Sequence, residues 1–217
     1  MDIYSSRTHT FWLPDAYYNA LEMSAAMLKA PTLAFLLVIY AESGHHATAA
    51  FRDTRTTDVI DSNGQRTHKL WHPDPDNPAL GYPSSIGLCQ ITPGRARAMG
   101  MSEPHRLALL EMVEMAQLPL VVRAYLATGY LEPYRSAGHL YLATYAPALL
   151  PVAGDPFHRV YARDIVESAF RWSAPLDLDD PAAYIEVGEL TEWLARRGNE
   201  PEYEAHKERL DSVTARS

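Results

Sequence analysis

Residues 31–44 read Pro-Thr-Leu-Ala-Phe-Leu-Leu-Val-Ile-Tyr-Ala-Glu-Ser-Gly, and almost every position before Glu42 is apolar. An apolar run without a polar face, started by a proline and stopped by Ser43-Gly44, predicts a helix buried on all sides at the centre of a small domain. Glu42 then stands at the C-terminal end of that helix. The helix dipole disfavours a negative charge there and burial disfavours it further, so the expectation is a carboxyl group with a raised pKa. A carboxyl of that kind can hold a proton near neutral pH and donate it to a leaving oxygen. The alternative is a helix-end glutamate in a surface ion pair.

Outward from this helix, Tyr17, Leu21, Ser24, Ala25 and Leu28 recur at helical spacing between Pro14 and Lys29, and Pro31 ends the run. After it the pattern changes. Thr56, Thr57, Val59 and Ile60 precede Ser62-Asn63-Gly64-Gln65, which predicts a β-hairpin over Arg52–Trp71 with an Asn-Gly turn. His72–Ser85 is rich in Pro, Asp and Asn and reads as loop. Helical character returns over Pro93–Met99, Glu103–Met115, Leu118–Leu126 and Ala137–Tyr145, then over Ile165–Trp172 and Val187–Arg196. A soft boundary near Pro175 divides a domain of residues 1–173 from a helical tail, 174–217, whose charged end from Glu202 reads as a solvated, frayed helix. The fold class is mainly α, a helical domain with one small hairpin.

The chain has 217 residues, 47% of them hydrophobic and 21% charged, enough for one sizeable core. A net charge of −8 argues against a nucleic-acid binder, which needs a surplus of Lys and Arg on one face. The single cysteine, Cys89, cannot form an intramolecular disulfide; between Leu88 and Gln90 it reads as a small core residue rather than a thiol nucleophile. Met1–Pro14 lacks the features of a secretory signal, and Leu33–Ala41 is too short to span a bilayer. The expectation is a soluble protein made in the cytoplasm, without membrane insertion. His45, His46, His68 and His72 lack the spacing of a metal site, and the acidic stretch at Asp177–Asp180 lacks the core of a calcium loop, so no metal and no cofactor are expected.

Three segments in a fixed order carry a resemblance. Ile39-Tyr40-Ala41-Glu42-Ser43-Gly44, then Ser85-Ile86-Gly87-Leu88-Cys89-Gln90-Ile91-Thr92-Pro93, then Leu140-Tyr141-Leu142-Ala143-Thr144-Tyr145-Ala146-Pro147-Ala148 resemble the lytic transglycosylases of the lysozyme superfamily, in the variant found in phage tails and injection devices. The resemblance spans about half the chain, Leu33 to Pro151. It implies a lysozyme-like α+β fold with the hairpin near the active-site cleft, and cleavage of the MurNAc-GlcNAc β-1,4 bond of a peptidoglycan strand. Glu42 would protonate the leaving oxygen and then, as base, help the muramic acid 6-hydroxyl attack its own anomeric carbon, giving a 1,6-anhydromuramoyl product. Ser43, Gly87, Gln90 and Tyr145 match the positions that bind the sugar.

Read from the residues alone, Ser43 can equally end the helix, Gln90 can satisfy backbone groups under the cleft, Tyr145 can be core and Gly87 can make a turn. The asparagine that often follows the family's tyrosine is replaced by Ala146-Pro147. Asp53, Asp58 and Asp61 lie in the long stretch between Gly44 and Gly87. One of them facing Glu42 would allow water activation and an inverting, lysozyme- or chitinase-like hydrolase. A catalytically silent wall-binding module of a tail or baseplate is the non-enzymatic alternative. With no export signal, action on the cell wall implies delivery by a virion or a contractile device.

Overall fold

Helix α2 (Thr32–Ser43) is surrounded by other helices, which is why its sequence is apolar nearly all round. It is the axis of the computed structural model, which describes residues 13–45, 50–51, 85–145, 150, 159–161 and 184–216. The described chain is mainly helical. Helix α1 (Asp15–Met27) precedes α2 and packs on it, with Tyr17, Tyr18, Leu21, Ser24 and Ala25 buried. All but Tyr18 belong to the predicted apolar stripe, whose remaining member, Leu28, is also buried. Gly44 closes α2 in the left-handed conformation, φ 60°, with its N–H donating to the Tyr40 carbonyl.

Two residues, Ala50–Phe51 (β1), pair antiparallel with Ser85–Ile86 (β2), Ala50 opposite Ile86 and Phe51 opposite Ser85. The chain therefore leaves and re-enters the described body through one antiparallel pair. The predicted hairpin over Arg52–Trp71 and the loop to Ser84 lie outside the described residues. Beyond β2 come α3 (Pro93–Ala98), α4 (Glu103–Leu107), a 3-10 turn (Ala108–Glu111), α5 (Glu114–Leu126) and α6 (Ala137–Tyr145). A second antiparallel pair, β3 (Arg159–Tyr161) with β4 (Tyr184–Glu186), was not anticipated from the sequence. It leads into α7 (Val187–Arg197) and α8 (Pro201–Thr214). The predicted helix Ile165–Trp172 and the boundary near Pro175 also lie outside the described residues.

The single helix expected over Glu103–Met115 is instead broken, and α5 begins four residues earlier than expected. Met112 and Val113 are extended, ψ 141° and 157°. The break is stabilised from the next helix: Gln117 Nε2 donates to the Leu109 carbonyl at 2.7 Å and the Met112 carbonyl at 3.4 Å. The side chain thus serves as a cap for carbonyls that no longer have helical partners.

The C-terminal helix is the second correction. Far from being frayed and solvated, α8 packs on α1 and α2 with Tyr203, His206, Leu210 and Val213 buried. Tyr18 OH and His206 Nδ1 are 2.8 Å apart, Tyr203 OH donates to the Leu33 carbonyl at 3.2 Å, and Arg209 pairs with Asp15. The spacing of those four residues is helical, but charged neighbours on every other face mask the stripe. Helix α7 docks on α6 and α2 with Leu190 and Leu194 buried, and the Trp193 ring lies tilted against Tyr141, centroids 5.1 Å apart.

Candidate functional site

Glu42 is the next-to-last residue of α2 and is half-buried. Its charge reaches two fully buried groups, the Cys89 thiol and the Tyr125 phenol. Burial pushes Cys89 up to about 12, the Arg95 guanidinium pulling it down and Glu42 raising it further. Burial likewise holds Tyr125 well above its ordinary value, with Cys89 and Glu42 adding and Arg95 opposing. The end of α2, the β2–α3 turn and the end of α5 are therefore within electrostatic reach of one carboxylate and one guanidinium. Cys89 is an inert thiol in this setting.

The Gly-Leu-Cys-Gln segment is a tight turn pressed into the core. Ile86 and Ile91 exchange backbone hydrogen bonds of 3.3 and 2.8 Å across it, and Leu88 is buried. Gly87 and Gln90 both have positive φ, 80° and 50°. Gln90 supports its own strained backbone: Nε2 donates to the Gly87 carbonyl at 2.8 Å, and Oε1 accepts from the Ser85 hydroxyl at 2.7 Å. The Leu88 N–H donates to Gln117 Oε1 at 3.0 Å, so one glutamine amide joins this turn to the break before α5. A buried guanidinium fixes the turn from the other side, Arg106 Nη1 donating to the Ile91 carbonyl at 3.1 Å while its remaining nitrogens engage Glu103.

Helix α3 starts from this turn. The Thr92 hydroxyl caps it by accepting from the Arg95 N–H at 3.2 Å, and Pro93 fills the first helical position. This places Arg95 in the first turn, with Nη1 donating to the Ala143 carbonyl of α6 at 3.0 Å. Tyr134, buried, packs edge-on to Tyr125 at 5.7 Å and to His139 at 5.3 Å, with Tyr130 beside it. The Arg135 N–H donates to His139 Nδ1 at 3.3 Å, so the neutral ring carries its proton on Nε2. Burial and the Arg135 charge lower the His139 pKa and keep that ring neutral.

Of the residues singled out in the sequence, Glu42, Ser43, Gly87 and Gln90 fall in this region. Ser43 is buried and donates back to the Ile39 carbonyl at 3.0 Å, a helix-internal bond. Tyr145 is the last residue of α6, two beyond Ala143, and its ring lies outside the described side chains, as do Asp53, Asp58, Asp61, His46, His68 and His72. His45 is buried against Tyr17, whose OH lies 2.8 Å from Nδ1. Among the described residues no group of three His, Cys, Asp or Glu side chains stands close enough to hold a metal ion. No single described helix is long and apolar enough to cross a membrane.

Arg95, Tyr125, Tyr134 and His139 were not singled out from the sequence. Tyr125 sits at core spacing with Leu118, Val121 and Val122, and nothing local separates it from packing. Arg95 carried the only available signal, a cation two residues after Pro93 at the start of a short helix. Comparison of the chain with protein-family models, with curated proteins and with solved structures finds no match.

Proposed function

We propose that this protein is a peptidoglycan lytic transglycosylase with a lysozyme-like arrangement, in which Glu42 is the acid and base. The carrying observation is the position of Glu42: half-buried in the last turn of a central apolar helix, electrostatically coupled to the buried Cys89–Tyr125 pair beside the Gly87–Gln90 turn. Support also comes from the order of the three sequence segments and from the antiparallel β1–β2 pair, which brings the chain back directly before that turn.

In this reading Glu42 delivers its proton to the leaving glycosidic oxygen as the bond to the muramoyl anomeric carbon breaks. The carboxylate then takes the proton of the same sugar's 6-hydroxyl as that oxygen bonds to the anomeric carbon. One bond is lost and one gained, and no water is consumed. The turn supplies rigidity: the Gln117 and Arg106 side chains fix the backbone that carries Gln90. Delivery to the wall by a phage tail or a related device belongs to the same proposal.

The test is release of soluble material from purified peptidoglycan by wild type, Glu42→Gln and Glu42→Asp. Release by wild type and its loss by at least about a hundredfold in Glu42→Gln, with the fold intact, is the expected result for removal of a general acid. Wall binding without release by any of the three proteins would instead identify a silent binding module.

A further inference from the structure

Two imidazole rings from distant parts of the sequence meet in the core. His45, directly after the glycine that closes α2, and His206 of α8 have ring centroids 4.4 Å apart, and they are 0% and 4% exposed. Each ring is tied to α1 through Nδ1, which lies 2.8 Å from the Tyr17 hydroxyl for His45 and 2.8 Å from the Tyr18 hydroxyl for His206. The Tyr40 ring of α2 packs beside both, its centroid 6.0 Å from His45 and 6.5 Å from His206. One aromatic cluster thus joins α1, the exit of α2 and α8, and it does so three residues beyond Glu42.

The backbone at that exit is held from outside. His45 has φ 62° and follows Gly44 at φ 60°, so two successive left-handed residues turn the chain away from α2. A left-handed histidine is unfavourable by itself; burial of its ring and the bond to Tyr17 are what keep it there. The segment just past Glu42 is therefore fixed by the His45 ring.

Charge decides whether that ring can stay. Burial penalises one imidazolium, and two at this separation also repel. The hydroxyls at Nδ1 supply no counter-charge, because burial pushes Tyr18 up to about 12 and holds Tyr17 well above its ordinary value. The charged groups around the cluster are all partly or fully exposed. Arg197, over the Tyr40 ring, pairs with Glu200, and Arg209 pairs with Asp15. Glu114 of α5 acts on Tyr17, Glu202 on Tyr40, and Glu204 and Asp211 on Tyr203. Once opened to water, both rings take up protons below the ordinary histidine value of about 6.5. The opened form then binds more protons than the closed one, so closure is fully favoured above that value and weakens as pH falls below it.

We propose that His45 and His206 form a proton-operated latch that positions Glu42. Neutral, the pair clamps the exit of α2 between α1 and α8; protonated, it opens and releases the segment next to the carboxyl group. Both are positioning residues, acting through the backbone of α2. The effect on cleavage rests on the transglycosylase reading, whereas the latch itself does not. Glu42, which must carry its proton to act, gives activity an alkaline limb, and the latch adds an acid one.

The latch is tested on the full chain with His45→Asn. Asparagine tolerates left-handed backbone, its Oδ1 can replace Nδ1 as acceptor for Tyr17, and it does not titrate. Between pH 7.5 and 5.0 wild type is expected to lose more Tm than His45→Asn, with His139 present in both. An equal or larger loss in the variant would overturn the latch. A second reading needs no variant to fold: in wild type, the ring resonances of His45 and His206 are expected to keep their neutral positions as pH falls through 6.5 and then to change together. Either ring titrating singly would overturn the latch.

Positioning is tested by the pH profile of release from purified peptidoglycan. Wild type is expected to lose at least about tenfold in rate between pH 7.5 and 4.5, while His45→Asn stays within about threefold of wild type at pH 7.5 and has its acid limb displaced to lower pH. A uniformly lower rate with an unchanged profile in the variant would overturn the positioning of Glu42. The expected Tm difference without release by wild type at any pH would leave the latch standing and remove the transglycosylase reading.

Discussion

A Cβ atom on residue 87 would lie 2.5 Å from Gln117 Oε1, the oxygen that accepts the Leu88 N–H. Gly87 is therefore held by two constraints at once, a positive φ and a side-chain amide pressed against its Cα. Gly87→Ala should destabilise the protein by about 2–4 kcal/mol, from left-handed strain together with displacement of a buried hydrogen bond. Denaturant unfolding reads this directly. A loss under about 1 kcal/mol would mean that the turn can relax away from Gln117.

Helix α8 contributes to the core. Leu210→Ala should cost about 2–4 kcal/mol because it removes a side chain buried against α1 and α2. Breaking the exposed Lys207–Glu204 pair on the same helix should cost no more than about 0.5 kcal/mol. Equal small effects from both substitutions would mean that the helix is peripheral to stability.

Helices α6 and α7 are close at Gly138, where an added Cβ would lie 2.4 Å from Thr191 Oγ1 and 3.7 Å from the Thr191 Cα. Gly138→Ala should cost about 1–3 kcal/mol by forcing Thr191 to rotate, and Gly138→Leu should part the helices and quench the Tyr141–Trp193 contact. Near-wild-type Trp fluorescence in Gly138→Leu would contradict that packing.

Acid should unfold the protein in two steps of proton uptake. The His139 pKa is lowered in the folded state, first by burial and then by Arg135, so the unfolded chain binds that proton more readily. The associated stability is complete above the ordinary histidine value of about 6.5 and falls as pH drops below it towards the folded value. The hydrogen bond from Arg106 lowers the Glu103 pKa, so its contribution is complete above the ordinary value and is lost as pH falls through the depressed folded value. Unfolding at pH 7.5, 5.5 and 3.5 separates the two. His139→Gln should flatten the upper step and Glu103→Gln the lower, and a variant with an unchanged profile would remove its residue from the account.

Much of the helical body was legible in the sequence because its signals are local. Pro31 and Gly44 bound α2, the Tyr17–Leu28 stripe marks the buried face of α1, and α6 matches its predicted Ala137–Tyr145 span. The break at Met112–Val113 was hidden because its stabiliser, Gln117, acts across a turn, and Pro119 inside α5 imitates a helix start. The docking of α8 was hidden because Tyr203, His206, Leu210 and Val213 are apolar or neutral positions scattered among charges. At the site, Glu42, Ser43, Gly87 and Gln90 were picked out by type and order. Their described hydrogen bonds show Ser43 and Gln90 serving the local backbone as well. Arg95, Tyr125, Tyr134 and His139 come from three helices and a loop, and only the folded chain brings them together.

The most direct test of the account is mass analysis of fragments released from purified peptidoglycan by wild type and by Glu42→Gln. The account predicts 1,6-anhydromuramoyl ends from wild type and none from the variant. Reducing ends, one water heavier, or release that survives Glu42→Gln would contradict it.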